Sequence, residues 1–193
     1  MSISTIYAPQ NSITLADAKV HLRILHDDED VYISALVSAA ENYILNATGR
    51  VLCSGTFSLP RNTLRSEMTL PVAPVLSIKS LTLNDTAGNG TEVAAANYAL
   101  DTTTTPPSLF LKTEGEYPTL TLERRGAVEI QFIAGYGDPS DVPQSLKHAV
   151  LLLVGHWYEN RSSVEIGTIA TRVPFAVDAL LAPFKVYSIE DDR

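Results

Sequence analysis

Between Gln144 and Asn160 the sequence reads QSLKHAVLLLVGHWYEN. Its apolar residues Leu146, Ala149, Val150, Leu151, Leu152, Leu153, Val154, Trp157 and Tyr158 fall on most sides of the helix that their spacing predicts. A helix apolar on so many sides cannot lie on a surface and has to be surrounded by other elements. The preceding loop, 135–143, ends in Pro143, which suits the first turn of a helix. The partners that bury this late segment must therefore come from elsewhere in the chain.

The N-terminal part supplies them. Thr14 and Asp17 have the spacing of a capping box, with Asp a shorter partner than the usual Glu. Leu15, Ala18, Leu22 and Leu25 then recur at three- and four-residue spacing, one face of a short helix. His26-Asp27-Asp28-Glu29-Asp30 interrupts it, and this acidic cluster suits the first turn of a second helix, where carboxylates face unpaired amides. The second helix is predicted to run to about Thr48 with Ile33, Leu36, Val37, Ala40 and Ile44 as its stripe, and Gly49 follows as a stop. Two such helices joined by a short link make an antiparallel hairpin.

The texture changes after Gly49. From about Thr56 to Ala134 the chain is rich in Thr, Val, Leu and Ile, punctuated by Pro and Gly. Residues 75–83 alternate for much of their length, the mark of a half-buried strand, and Asn84 to Gly90 has the composition of a turn. Further strands are predicted at 108–112, 118–123 and 127–134, with a polar loop from Thr102 to Pro107. Strands at this spacing suggest a small antiparallel sheet or barrel. Beyond Arg161 periodicity is poor, apart from a short helix at 175–182 that Pro183 ends. The tail from Phe184 to Ile189 is apolar yet too short to build a core, which favours docking over disorder.

The chain thus reads as α+β: a helical bundle, made of an N-terminal helical hairpin plus a late central helix, with an inserted small antiparallel β domain and an extended C-terminal arm. Residues 1–54 and 136–183 form the helical core, 55–135 the inserted β-rich domain and 184–193 the arm.

Composition narrows the function. The chain has 193 residues, enough for one domain with a modest insertion, and 45% hydrophobic residues, which excludes wholesale disorder. Lone Cys53 rules out a disulfide framework and any multi-cysteine metal site, and favours a reducing compartment. The longest purely apolar run, Ala149 to Val154, falls far short of the ~20 residues that cross a bilayer. Met1-Ser2-Ile3-Ser4-Thr5 lacks the basic start of a secretion signal. With 22 Asp and Glu against 14 Lys and Arg, there is no basic footprint for tight binding to a phosphate backbone.

No motif assembles an active site. His26, Asp28 and Asp30 lack the glycine and distal Glu of a calcium loop, and read as a solvated link. His148 and His156 lie two turns apart, too far to share one ion without other ligands. There is no Gly-x-Ser-x-Gly elbow, and Cys53 has only Arg50 nearby to activate it. Gly88-Asn89-Gly90 and Gly135-Tyr136-Gly137 lack the rest of a phosphate cradle and read as turns. Glu123-Arg124-Arg125 reads as strand-end solvation or a charged contact with another subunit. No catalytic residue, cofactor or metal site is expected. The residues alone imply an α+β assembly component with an unsatisfied apolar tail.

Three blocks add a resemblance. Thr14-Leu15-Ala16-Asp17-Ala18-Lys19-Val20-His21-Leu22-Arg23, followed by Asp27-Asp28-Glu29-Asp30, resembles the opening of tailed-phage head–tail connector proteins, the adaptor or head-completion family. Val142 to Ala149, leading into His156-Trp157-Tyr158-Glu159-Asn160-Arg161, is similar to that family's penultimate helix and its Trp-Tyr-Glu-x-Arg ending. Pro174 to Phe184 resembles its C-terminal segment. The blocks occur in order over nearly the whole chain, and the β-rich insertion matches the longer branch, also met in prophages and gene transfer agents.

The resemblance implies a non-catalytic virion protein, found in the head–tail neck and in host cytoplasm during assembly. It implies a ring, usually of twelve copies, beneath the portal protein, extending the DNA channel and receiving a downstream stopper or tail protein. It implies transient, non-specific contact with passing DNA and none with a membrane. Carried onto this sequence, Phe175, Leu180, Leu181, Phe184 and Tyr187 become candidates for docking on the portal, although Phe175, Leu180 and Leu181 are as well explained by the subunit's own core. Tyr158, Glu159 and Arg161 become candidates for contacts between subunits, with Trp157 read as core. Asp27, Asp28, Glu29 and Asp30 become candidates for lining the channel or its rim, where carboxylates would let a phosphate backbone slide. The competing readings are a stopper or tail-terminator protein, which would be mainly β-barrel, a small phage-encoded enzyme, which would need a pocket with converging polar groups, and a cellular scaffold of phage ancestry.

Overall fold

A computed structural model describes residues 3–112, 117, 125–161 and 175–186. The chain divides into two compact units, one of residues 10–53 and 137–185, the other of residues 1–9, 54–136 and 186–193.

The first unit is helical: α1 (Leu15–Leu22), α2 (Asp30–Thr48), α3 (Gln144–Glu159) and α4 (Phe175–Leu181), the last running into a 3-10 turn at Ala182–Phe184. The capping box is present at the start of α1. Thr14 Oγ1 accepts the Asp17 N–H at 3.1 Å and donates to Asp17 Oδ2 at 2.6 Å. The helix ends sooner than the apolar spacing predicts, because Arg23 turns left-handed (φ 59°). Leu25 therefore leaves the helical face and stands fully exposed. On α2 the stripe Ile33, Val37, Ala40 and Ile44 is buried, and Gly49 closes the helix with φ 70° and an N–H bond to the Leu45 carbonyl, a conformation that favours glycine. No side chain caps the start of α2; the acidic cluster is used otherwise, as described below.

Central α3 packs against α1, α2 and α4, and buries Leu146, Ala149, Val150, Leu153 and Val154 completely. Trp157 is half-buried, edge-on to Tyr43 with ring centroids 6.2 Å apart. Glu41 on α2 accepts hydrogen bonds from the Ser12 N–H (2.5 Å) and hydroxyl (2.6 Å). Burial pushes its carboxyl up from the usual value, against the pull of these bonds. The last helix stops at Leu181, just before Pro183, which sits inside the 3-10 turn that follows, where its missing N–H costs little.

The second unit holds two antiparallel sheets. Its strands are β1 (Ser4–Tyr7), β2 (Gly55–Arg61), β3 (Glu67–Thr69), β4 (Val75–Asn84), β5 (Gly90–Glu92), β6 (Tyr98–Asp101), β7 (Ser108–Leu111) and β8 (Val128–Ala134). The larger sheet has the order β1-β2-β8-β4-β5 and the smaller β3-β7-β6. β8 alternates strictly, with Val128, Ile130, Phe132 and Ala134 buried. Phe132 lies opposite Phe57 and stacks on it at 6.0 Å between centroids. β4 alternates only in part because its pairing with β8 shifts register twice, between Val75 and Ser77 and between Ile78 and Ser80. The turn after β4 is organised by Asp85, whose Oδ1 accepts the N–H groups of Ala87 (2.9 Å) and Asn89 (2.8 Å). The strand expected at 118–123 lies outside the described residues.

Candidate functional site

The link between α1 and α2 carries the residues expected to line a channel, and most of them are engaged within the chain. Lys19 Nζ reaches Asp27 Oδ1 at 2.5 Å and Asp30 Oδ1 at 2.7 Å. The bond to Asp27 holds the lysine above its usual pKa and the carboxylate below it. Arg161 Nη1 meets Glu29 Oε1 at 2.6 Å, and the Tyr158 hydroxyl donates to the same carboxylate. The Arg161 bond first, then the Tyr158 bond, lower the Glu29 carboxyl to about 2. The guanidinium also lies 4.7 Å from the Tyr32 ring centroid and 4.4 Å from that of Tyr158, within cation–π range. One arginine thus ties the start of α2 to the end of α3.

Arg161 and Tyr158, expected between subunits, also have partners inside their own chain, where the start of α2 brings a carboxylate and a second ring to them. Asp27 and Asp30 share Lys19 and Glu29 pairs with Arg161, two cations against three carboxylates. Asp27 and Asp28 are the exposed members of the four, and His26 Nδ1 lies 3.6 Å from Asp28. Glu159 is exposed and makes no ion pair among the described residues.

The docking candidates separate as well. Leu181 is 1% exposed and lies in the subunit's own core together with Val177. Leu180 is half-buried. Phe175 is 87% exposed at the start of α4. Phe184 is half-buried, and its carbonyl accepts a bond from Arg50 Nε at 3.0 Å, which fastens the 3-10 turn beside the end of α2. Tyr187 lies outside the described residues.

A feature that the sequence reading missed is an open cleft of about 490 Å3 between α1 and α3. Its lining is mostly polar, with Asp17, His21, Lys147 and His148 beside Val20 and Leu151. Lys147 makes no ion pair among the described residues. The signal was present in α3: Gln144, Lys147, His148 and Leu151, at helical spacing with Gly155, form the stripe toward α1. A Cβ on Gly155 would lie 3.4 Å from His21 Nε2. Cys53 is buried, and desolvation raises its thiol to about 11, so it is a poor nucleophile. No three His, Cys, Asp or Glu side chains converge on a metal position among the described residues. Nor does any described helix have the length and hydropathy to cross a membrane.

Residues 12–173 match the sequence profile described as head completion protein. The chain belongs to the head completion protein family. Among solved structures it is similar to a chain in the neck of an empty gene transfer agent (GTA) particle computed with C6 symmetry. That likeness has 30% identity and a TM-score of 0.83, with 100% of each chain covered. A chain in the virion of a native GTA particle gives 30% identity and 0.81, over 98% of this chain and 97% of that one. A chain in the neck of a native GTA particle computed with C12 symmetry gives 29% and 0.80, again with 100% of each covered. No curated protein sequence matches the chain.

Proposed function

We propose that this head completion protein is a structural component of a particle neck, working by assembly and without catalysis. The observation that carries the reading is the end-to-end likeness to chains from GTA necks and virions. In this reading the copies form a ring, twelve in number, in line with the C12 symmetry of one similar neck. The ring stands between the portal protein and a downstream stopper or tail protein, in the virion after assembly in the host cytoplasm, and DNA passes through it with only transient contact.

Residues 1–54 and 136–183 serve as the adaptor body, 55–135 as an insertion on it and 184–193 as the arm. Phe184 and Tyr187, aided by Leu180, dock on the portal; the anchored Phe184 carbonyl supports this by fixing where the arm departs. Tyr158, Glu159 and Arg161 are the candidates for contact between subunits, and Asp27, Asp28, Glu29 and Asp30 for the channel or its rim.

Co-purification with the portal protein, intact chain against a chain cut after Pro183, tests the arm: binding should fall sharply in the cut form, and undiminished binding removes the arm's role. Particles made without this protein should lack tails. Normal tailed particles in its absence would overturn the whole reading.

A further inference from the structure

The hairpin between β4 and β5 contains the one Asn-Gly pair in the sequence, Asn89-Gly90. Both residues are exposed, and they stand where the turn hands over to the first residue of β5. Asparagine is a thermolabile residue, and a glycine after it leaves the next backbone nitrogen without a side chain to shield it. The fold itself asks for that glycine. A Cβ on Gly90 would lie 3.0 Å from Thr82 Cγ2 and 3.2 Å from Asn84 Oδ1, so a larger residue crowds the β4–β5 ladder.

One side chain restrains Asn89. Asp85 Oδ1 accepts the Asn89 N–H at 2.8 Å, and Asp85 Oδ2 accepts from Asn89 Nδ2 at 3.1 Å. The Asp85 N–H donates in turn to the Asn89 carbonyl at 3.0 Å. The Asn89 bonds, the backbone one first and then the side-chain one, hold the Asp85 carboxyl below its usual value, so it serves as an ionised acceptor. Rotating the side-chain amide away from residue 85 therefore breaks a bond to a charged group, the stronger kind.

We propose that Asn89 is a modification site at which the chain deamidates by its own backbone, with Asp85 as the positioning residue that slows the reaction. The Gly90 nitrogen gives up its proton and attacks Asn89 Cγ, an intramolecular step. The new N–Cγ bond closes a succinimide ring, the Cγ–Nδ2 bond breaks, and Nδ2 leaves with the proton as ammonia. Water then opens the ring at either carbonyl, which leaves an aspartyl or an isoaspartyl unit; nothing is oxidised or reduced. The product sets a second carboxylate against Asp85, and the two repel. Among the described strands β5 pairs with β4 alone, so this edge strand is what the reaction loosens. The site does not depend on the neck reading.

The test is incubation of the folded, intact chain in mildly alkaline heavy-oxygen water, followed by digestion and mass spectrometry. Residue 89 should take up the heavy label before any other asparagine, as a mixture of aspartyl and isoaspartyl peptides. An unlabelled residue 89, or earlier conversion elsewhere, overturns the site. Asn89→Gln, which would need a larger ring, should keep its amide; equal labelling there would assign the reaction to water alone and remove the Gly90 nitrogen from it. Asp85→Asn keeps an oxygen for the Ala87 and Asn89 N–H groups but loses the one that holds Nδ2. It should speed conversion several-fold with hydrogen exchange along Val75–Asn84 unchanged, and an unaltered rate overturns the restraint by Asp85. Asn89→Asp should lose amide protection across Gly90–Glu92 and keep it in β8; full protection in both overturns the loosening of β5.

Discussion

The two units differ in what they leave facing water. In the β unit the exposed large apolar residues are Phe110 at 39%, Ile6 at 51%, Leu76 at 52% and Tyr7 at 72%. Ile6 and Tyr7 belong to edge strand β1, and Leu76 sits at a register shift of β4, so local geometry accounts for these three. In the helical unit Val20 stands at 78%, Val31 and Phe175 at 87% and Leu25 at 99%. None of these four lies at a sheet edge or a bulge, and the helices beneath them are fully packed. The β unit closes on itself as far as its edges allow, whereas the helical unit completes its core and still shows apolar side chains to solvent. Such exposure marks a surface made for partners.

The comparison can be broken first in the two cores, where the effects are largest. Phe132→Ala should cost ~3–5 kcal/mol and Leu153→Ala ~2–5 kcal/mol in denaturant unfolding, because both leave cavities in closed packing. A loss well under ~1 kcal/mol at Leu153 would mean that the helical core is not closed. Next comes the seam of β1. A Cβ on Gly55 would lie 2.9 Å from both Pro9 Cδ and the Tyr7 carbonyl oxygen. Gly55→Val should therefore cost ~1–3 kcal/mol, with amide protection lost first along Ser4–Tyr7 in hydrogen exchange.

Smaller again is Ser12→Ala, which takes the hydroxyl donor from half-buried Glu41 and leaves the backbone ones. It should lower stability by about 1–2 kcal/mol, read from the shift of the urea midpoint.

The acid response sharpens the comparison further. The Glu29 carboxyl is lowered from 4.5 to about 2, so its contribution is whole above the unfolded value and is lost as pH falls from there through the folded one. Thermal midpoints followed over that window should decline for the intact chain. Arg161→Ala should flatten this part of the decline, and an unchanged slope would show that the Glu29 contact does not persist in solution. Least of all, Leu25→Ser and Val31→Ser should change unfolding stability by under ~0.5 kcal/mol while reducing self-association in light scattering, since neither side chain supports the fold. A large destabilisation by either would erase the contrast between the units.

The helices were legible because their apolar spacing is repeated over several turns: α2 and α3 lie where periodicity and their stop and start residues place them. The failures came where long-range geometry overrode spacing. Leu25 fitted the apolar period of α1, but left-handed Arg23 ended the helix first. Strand β1 carried no alternation, and only pairing with β2 makes it a strand. Two register shifts in β4 broke a pattern that a flat strand would have kept.

At the candidate site the acidic run was visible, but its partners were not. Lys19 lies eleven residues before Asp30, and Arg161 is distant from Glu29 in sequence, so no local pattern joins them.

The interleaving of the two units also has a consequence during synthesis. Helices α1 and α2 leave the ribosome first, but α3, against which they pack, follows only after every strand from β2 to β8. At ~5–20 residues per second, the apolar stripe from Ile33 to Ile44 waits for seconds with no partner. A nascent hairpin held open that long is a natural client for chaperones that shield apolar surface.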